Sequence, residues 1–350
     1  MRLQATLGRG RFLQTAAVAF AAAQLSSIDS VAARVGDLGS ATIPPVAPGT
    51  HTSFSTLRQI DAGLLNVGYA EAGPADGPPV ILLHGWPYDI YSYVDVAPLL
   101  ASNGYRVIVP YLRGYGSTTF LSSSTFRNGQ QSVVALDVIA LMDALKIQRA
   151  TVGGFDWGSR TAAILAALWP ERVKALVAVS GYLITNVKAQ QQPLPPKAEL
   201  GWWYQYYFST QRGVLGYTEN RNDFNRLIWT IVSPTWHFSD ATFERTAASF
   251  QNPDHVAIVI HNYRWRLGLA QGEPKYDALE ARLFAGPVIG VPTITIASDF
   301  DGPAADGTAY RDKFSGKYAH RILPGIGHDV PQEAPQAFAQ AVVDADGLAT

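Results

Sequence analysis

Three residues in this 350-residue chain combine the right chemistry with a telling position. Asp156 lies in Thr151-Val152-Gly153-Gly154-Phe155-Asp156-Trp157-Gly158, where an apolar stretch gives way to a helix-forming one. Small residues at 154 and 158 permit a sharp turn that lifts residue 156 above a sheet edge, the shape of a nucleophile elbow with aspartate in the place of serine. A carboxylate held there could attack an electrophilic carbon and form an ester. Aspartate is also a favoured N-cap, so helix capping is the other role open to it locally. Asp301 follows the apolar run Val-Pro-Thr-Ile-Thr-Ile-Ala, with Asp299 two residues before it as the alternative acid. His328 closes Gly325-Ile326-Gly327-His328, after the last strand-like segment. A nucleophile, an acid and a histidine in that order, each at a strand's end, form a hydrolytic set. Ser180-Gly181-Tyr182, after the preceding strand, offers no carboxylate for the acid's role.

These groups need a scaffold, and the apolar runs supply one. Strands are predicted over residues 64–71, 79–83, 105–110, 150–155, 173–180, 291–297 and 321–323. Helices are predicted over 131–145 and 159–169, with a last one starting near Glu333. Short continuous apolar runs alternating with helices describe an α/β fold with a mostly parallel sheet covered on both faces. His84-Gly85-Trp86-Pro87 directly follows one buried strand. The backbone N–H of Trp86 therefore belongs beside the elbow, with that of Trp157 as the second oxyanion donor. Between residues 183 and 285 the alternation stops. A polar, aromatic, helical insert takes its place, including Trp202 to Phe208, with six aromatics in seven residues.

Composition narrows the function. The formal charge is 27 − 28 = −1, which favours neither nucleic acid nor an acidic surface. With no cysteine, disulfides and thiolate chemistry are excluded. His84 has a structural place in its loop; His51, His237, His255, His261 and His320 read as surface or packing residues without metal spacing. No dinucleotide or phosphate-loop fingerprint occurs, so no cofactor is expected. Residues 1–35 run basic, apolar, then small, the order of an export signal and too short to span a bilayer. Arg9-Gly10-Arg11-Phe12-Leu13 resembles a twin-arginine signal with Gly10 in the second arginine's place. A periplasmic or secreted protein is expected, with 36–50 as a linker, 51–182 and 286–350 as the core, and 183–285 as a cap. No stable membrane insertion is expected.

From about residue 52 to 345 the chain resembles the α/β-hydrolase fold family, and within it the epoxide hydrolases. The resemblance rests on HGWP (84–87), GYRVIVPYLRGYG (104–116), GFDWG (154–158) and the histidine loop. It implies that Asp301, three residues beyond a small one, partners His328. It also implies that Tyr204 in YQYYF and Tyr263 in Asn-Tyr-Arg are the two ring-opening tyrosines of the cap. Tyr111, where the family has aspartate, and Phe155, where it has histidine, depart from the pattern.

The implied reaction is attack by Asp156 on an epoxide carbon, with Tyr204 and Tyr263 serving the leaving oxygen. His328-activated water then hydrolyses the ester. An apolar or aromatic epoxide and water are the expected partners. The rival reading is a dehalogenase using the same triad; a non-catalytic ligand-binding protein is a remote third.

Overall fold

A computed structural model of the chain describes residues 42–350. The expected export signal and the first residues of the linker lie outside the described residues. Residues 42–50 are irregular yet anchored. Ile43 is fully buried, and its N–H donates to Gln340 Oε1 at 2.7 Å.

The strands are β1 (Leu57–Ala62), β2 (Leu65–Ala72), β3 (Pro79–Leu83), β4 (Arg106–Pro110), β5 (Thr119–Phe120), β6 (Ala150–Gly154), β7 (Val173–Val179), β8 (Thr293–Ser298) and β9 (Tyr318–Leu323). They form one sheet in the order β1-β2-β4-β3-β6-β7-β8-β9, with β5 on β2. From β4 to β9 every pairing is parallel, whereas β1, β2 and β5 add antiparallel pairings at one edge. Sequence alone misses β1, because Leu-Arg-Gln-Ile-Asp-Ala at a mostly exposed edge has no continuous apolar run.

Helices α1 (Val96–Ser102), α2 (Gln131–Ala144) and α3 (Trp157–Leu168) flank the sheet, joined by α10 (Val330–Glu333) and α11 (Pro335–Leu348) after β9. β6 is buried along its whole length and α3 nearly so, since both lie under other layers. Between β7 and β8 the insert forms α4 (Pro196–Gly201), α5 (Trp203–Ser209), α6 (Gln211–Val232), α7 (Asp240–Ala247), α8 (His255–Arg266) and α9 (Asp277–Phe284).

The strand order fixes where a ligand belongs. From β3 the chain moves to β4 on one side, then returns to place β6 on the other side and continues outward. That reversal opens a crevice beyond the carboxyl ends of β3 and β6. His84 to Pro87 leave the first strand there, and Asp156 leaves the second.

Candidate active site

The turn after β6 is strained and tightly packed. Asp156 takes φ +51° and ψ −121°, a conformation costing roughly 1–3 kcal/mol that only a well-determined surround maintains. A Cβ on Gly158 would sit 1.8 Å from the Leu83 carbonyl oxygen, and one on Gly85 would meet the Asp156 side chain at 2.4 Å. Glycine at both positions lets β3 and the elbow close on each other.

That approach aims the Trp86 backbone N–H at Asp156 Oδ1, at 2.8 Å. His328 Nε2 stands 3.6 Å from Asp156 Oδ2. Burial would push the Asp156 carboxyl up, but His328, Arg160 and the Trp86 N–H outweigh it and hold it below the ordinary value. Asp156 is thus a carboxylate with one oxygen tethered and the other facing an imidazole. Trp157 is the first residue of α3, where backbone N–H groups have no intrahelical acceptor, as an oxyanion donor requires. Its indole Nε1 is buried and faces the Tyr263 hydroxyl.

Arg160 lies one turn further along α3, 6% exposed, with its Nε donating to the Leu183 carbonyl at 3.1 Å. Burial, followed by the neighbouring Arg266, lowers its pKa to about 10. Among the described residues neither arginine has a carboxylate within ion-pair distance.

Both expected tyrosines reach this place from the insert. Tyr204 on α5 and Tyr263 on α8 lie with ring centroids 5.3 Å apart, and each packs on the Trp86 indole, at 5.0 and 5.1 Å. Burial, reinforced by the Asp156 charge, raises the Tyr204 phenol. It also raises Tyr263, with the Tyr204 and Asp156 charges adding to the effect. Both keep their protons at neutral pH and can donate them to an oxygen that develops negative charge.

The acid does not join the set. Asp301 Oδ2 accepts the Ser298 N–H at 2.8 Å, and Asp299 Oδ2 accepts the Gly325 N–H at 2.9 Å. His328 Nδ1 is buried with no hydrogen-bond partner. Phe300, between the two acids, puts its ring 4.2 Å from the imidazole. The expected Asp301–His328 bond is therefore not made, because the turn after β8 uses the carboxylate to cap its own backbone. The main chain of His328 is held by groups the sequence did not single out. Its N–H donates to Ser233 Oγ at 2.8 Å, and that hydroxyl donates to Glu333 Oε1 at 2.7 Å. Ser233 directly follows α6 and Glu333 ends α10, so no local pattern links either to the histidine.

The two departures from the family pattern are structural. Phe155 packs edge-on against Tyr88 at 5.1 Å and lies 5.9 Å from His328. Tyr111 sits against Gly116, where a Cβ would meet its ring at 2.5 Å. His84 is fully buried, and burial lowers its pKa to about 4. Its Nδ1 donates to the Gly85 carbonyl at 3.0 Å, and its Nε2 accepts the Leu112 N–H at 3.1 Å. Among the described residues no cluster suits a metal ion, and no helix is long and apolar enough to cross a membrane.

The α/β-hydrolase fold family model matches residues 78–324. A candidate epoxide hydrolase from Klebsiella pneumoniae subsp. pneumoniae MGH 78578, solved by crystallography, is 61% identical, with 84% of this chain and 98% of that one covered and a TM-score of 0.82. A haloalkane dehalogenase of Mycobacterium marinum is 35% identical over 135 residues, 38% of this chain and 44% of that protein. Epoxide hydrolase B of Mycobacterium tuberculosis is 33% identical over 152 residues, 40% of this chain and 42% of that protein. The chain thus spans less than half the length of these two curated relatives.

Proposed function

Because the chain belongs to the α/β-hydrolase fold family, in its epoxide hydrolase-like branch, we propose that it opens an epoxide to a vicinal diol through an ester of Asp156. One observation carries this reading. A strained, ionised aspartate has a backbone donor on one oxygen and an imidazole by the other, beneath two neutral tyrosines. An epoxide carbon needs a nucleophile that can displace an ether oxygen, and that oxygen needs a proton.

In the first step Asp156 Oδ2 bonds to a ring carbon, the C–O bond breaks, and Tyr204 or Tyr263 protonates the released oxygen. His328 Nε2 then takes a proton from water, whose oxygen adds to the ester carbonyl. The oxyanion is met by the N–H groups of Trp86 and Trp157. Collapse expels the diol oxygen, which takes the proton of the newly formed Asp156 acid, while His328 returns its own to the tyrosinate. The sum is epoxide plus water to diol. The aromatic surround of Trp86, Trp157, Tyr204 and Tyr263 suits an apolar or aromatic substrate.

A single turnover in H₂¹⁸O tests the chemistry. The ester route places the label in the Asp156 peptide and leaves the first diol unlabelled; label in that first diol would rule the ester out. A pool of epoxides and haloacetates, with Asp156→Asn as the control, should yield diols only with the unaltered chain.

A second reading, carbon–halogen cleavage by the same ester, is favoured by the buried Trp157 indole N–H beside Tyr263, a donor that could turn to a departing halide, and by the dehalogenase relative. Free halide and hydroxyacids in the same assay would select it. The proposal includes export of the chain, supported by the order of residues 1–35; a cytoplasmic chain with its N-terminus intact would refute that part.

A further inference from the structure

Resting on the reading above, we propose that Tyr217 and His255 are positioning residues that set the Trp86 loop over the nucleophile when the insert is seated. The observation is a hydrogen-bond chain that the ring-opening chemistry does not use. Trp86 Nε1 donates to the Tyr217 hydroxyl at 2.9 Å, Tyr217 lies 2.9 Å from His255 Nε2, and His255 Nδ1 lies 2.9 Å from the Gly114 carbonyl. Tyr217 and His255 are fully buried and Trp86 is 2% exposed. Four segments are joined: the loop after β3, α6, the first residue of α8, and the turn after β4.

The direction of every proton follows from chemistry. A carbonyl only accepts, so His255 Nδ1 donates to Gly114; an indole N–H only donates, so the Tyr217 oxygen accepts it and, with His255 neutral, sends its own hydrogen to Nε2. That nitrogen then carries the lone pair, and Nδ1 the proton. The chain closes with each donor matched, and only with a neutral histidine. Burial, which lowers the His255 pKa to about 3, keeps it neutral at working pH. The Tyr115 ring stands edge-on between His255 and His84, 4.7 Å from each. His84 in turn holds Gly85 from the core side.

Trp86 is the element this arrangement serves. Its backbone N–H tethers Asp156, and its ring is the surface on which Tyr204 and Tyr263 pack. An indole free to rotate would loosen both contacts together. A buried donor stripped of its acceptor also costs about 1–3 kcal/mol, so the ring would seek another partner. The insert thereby reaches the oxyanion donor through Tyr217 and His255, in addition to bringing the two tyrosines.

The test uses the full chain with Tyr217→Phe, His255→Phe and His255→Gln, the last retaining an acceptor for Tyr217 and a donor for Gly114. With styrene oxide, kcat should fall at least tenfold in Tyr217→Phe and His255→Phe, KM should stay within threefold, and His255→Gln should recover part of the loss. Combining Tyr217→Phe with His255→Phe should cost little more than either alone, since both break one chain. Unchanged kcat in both phenylalanine variants, or a loss confined to KM, would overturn the proposal. A second arm needs no turnover. ¹⁵N NMR should find His255 protonated at Nδ1 only and the Trp86 indole N–H protected from exchange, with protection lost in Tyr217→Phe. A protonated Nε2, or protection unchanged in that variant, would overturn the relay. If no epoxide of the pool is opened, the epoxide reading fails and the NMR arm decides the relay by itself; if another epoxide of the pool is opened instead, it replaces styrene oxide in the kinetic arm. Should Tyr217→Phe not fold, the two His255 variants carry the test.

Discussion

The Trp86 backbone N–H lies 2.8 Å from Asp156 Oδ1, and the Trp86 ring lies 5.0 Å from Tyr204. One residue thus touches both Asp156, the proposed nucleophile, and Tyr204, one of the two proposed proton donors. Because Oδ1 is tethered, Oδ2 is the oxygen that the proposed ester route uses, and His328 stands on that side.

Asp156→Asn should abolish diol formation, with kcat at least 10³-fold lower, because a neutral amide is a poor nucleophile. Its amide oxygen can still accept the Trp86 N–H, so substrate binding by calorimetry should change less than threefold. Diol formation at more than a tenth of the original rate would remove Asp156 from the nucleophile's role.

His328→Gln should separate the two half-reactions. Ester formation needs only Asp156 and the tyrosines, whereas hydrolysis needs a base for water. Intact-protein mass spectrometry should show the chain heavier by one substrate molecule, persisting for minutes or more. No adduct together with lost turnover would place His328 in the first step.

The relay acid is decided by comparing Asp301→Asn with Asp299→Asn. His328 Nδ1 is buried without a partner, a state that an imidazolium formed during hydrolysis would make costly. Because Asp301 is turned to the Ser298 N–H and Asp299 to the Gly325 N–H, we expect both asparagine variants to keep kcat within about threefold of the original; a tenfold loss with accumulation of the ester in one alone would assign that residue the role. Equal effects would assign the role to neither.

Stability should fall as pH rises from about 4 to about 7, because of Asp89. This fully buried carboxyl is raised to about 7, chiefly by burial, against 3.8 for the ordinary group. Between those values the folded chain holds a proton that the unfolded chain releases, so its contribution is complete below the lower value and is lost as pH climbs through the upper one. Asp89 accepts the Tyr91 N–H at 3.0 Å and the Thr246 hydroxyl at 3.0 Å, bonds that an asparagine oxygen can keep. Asp89→Asn should flatten the slope of melting temperature against pH over that window, an effect bounded by about 4 kcal/mol. An unchanged slope would show that Asp89 is ionised in the folded chain.

Much of this site was legible in the residues. Gly154 and Gly158 around Asp156 and the short apolar runs before His84 and Asp156 are local signals. They report backbone demands and burial within a few positions. Turn and strand geometry act over that same range, which is why Asp156, His328 and Trp86 could be named from the sequence, whereas Tyr204 and Tyr263 were named through the resemblance to the epoxide hydrolases. Other features were decided only by tertiary packing. Tyr217 and His255 became partners of Trp86 because α6 and α8 settle over the loop after β3. Ser233 and Glu333 met the main chain of His328 because α6 ends beside α10. The Asp301 carboxylate turned to its own Ser298 N–H while Phe300 took the face of the imidazole. A hydrogen bond is won by whichever donor lies within about 3 Å in the folded chain, and for groups tens of residues apart no sequence spacing encodes that distance.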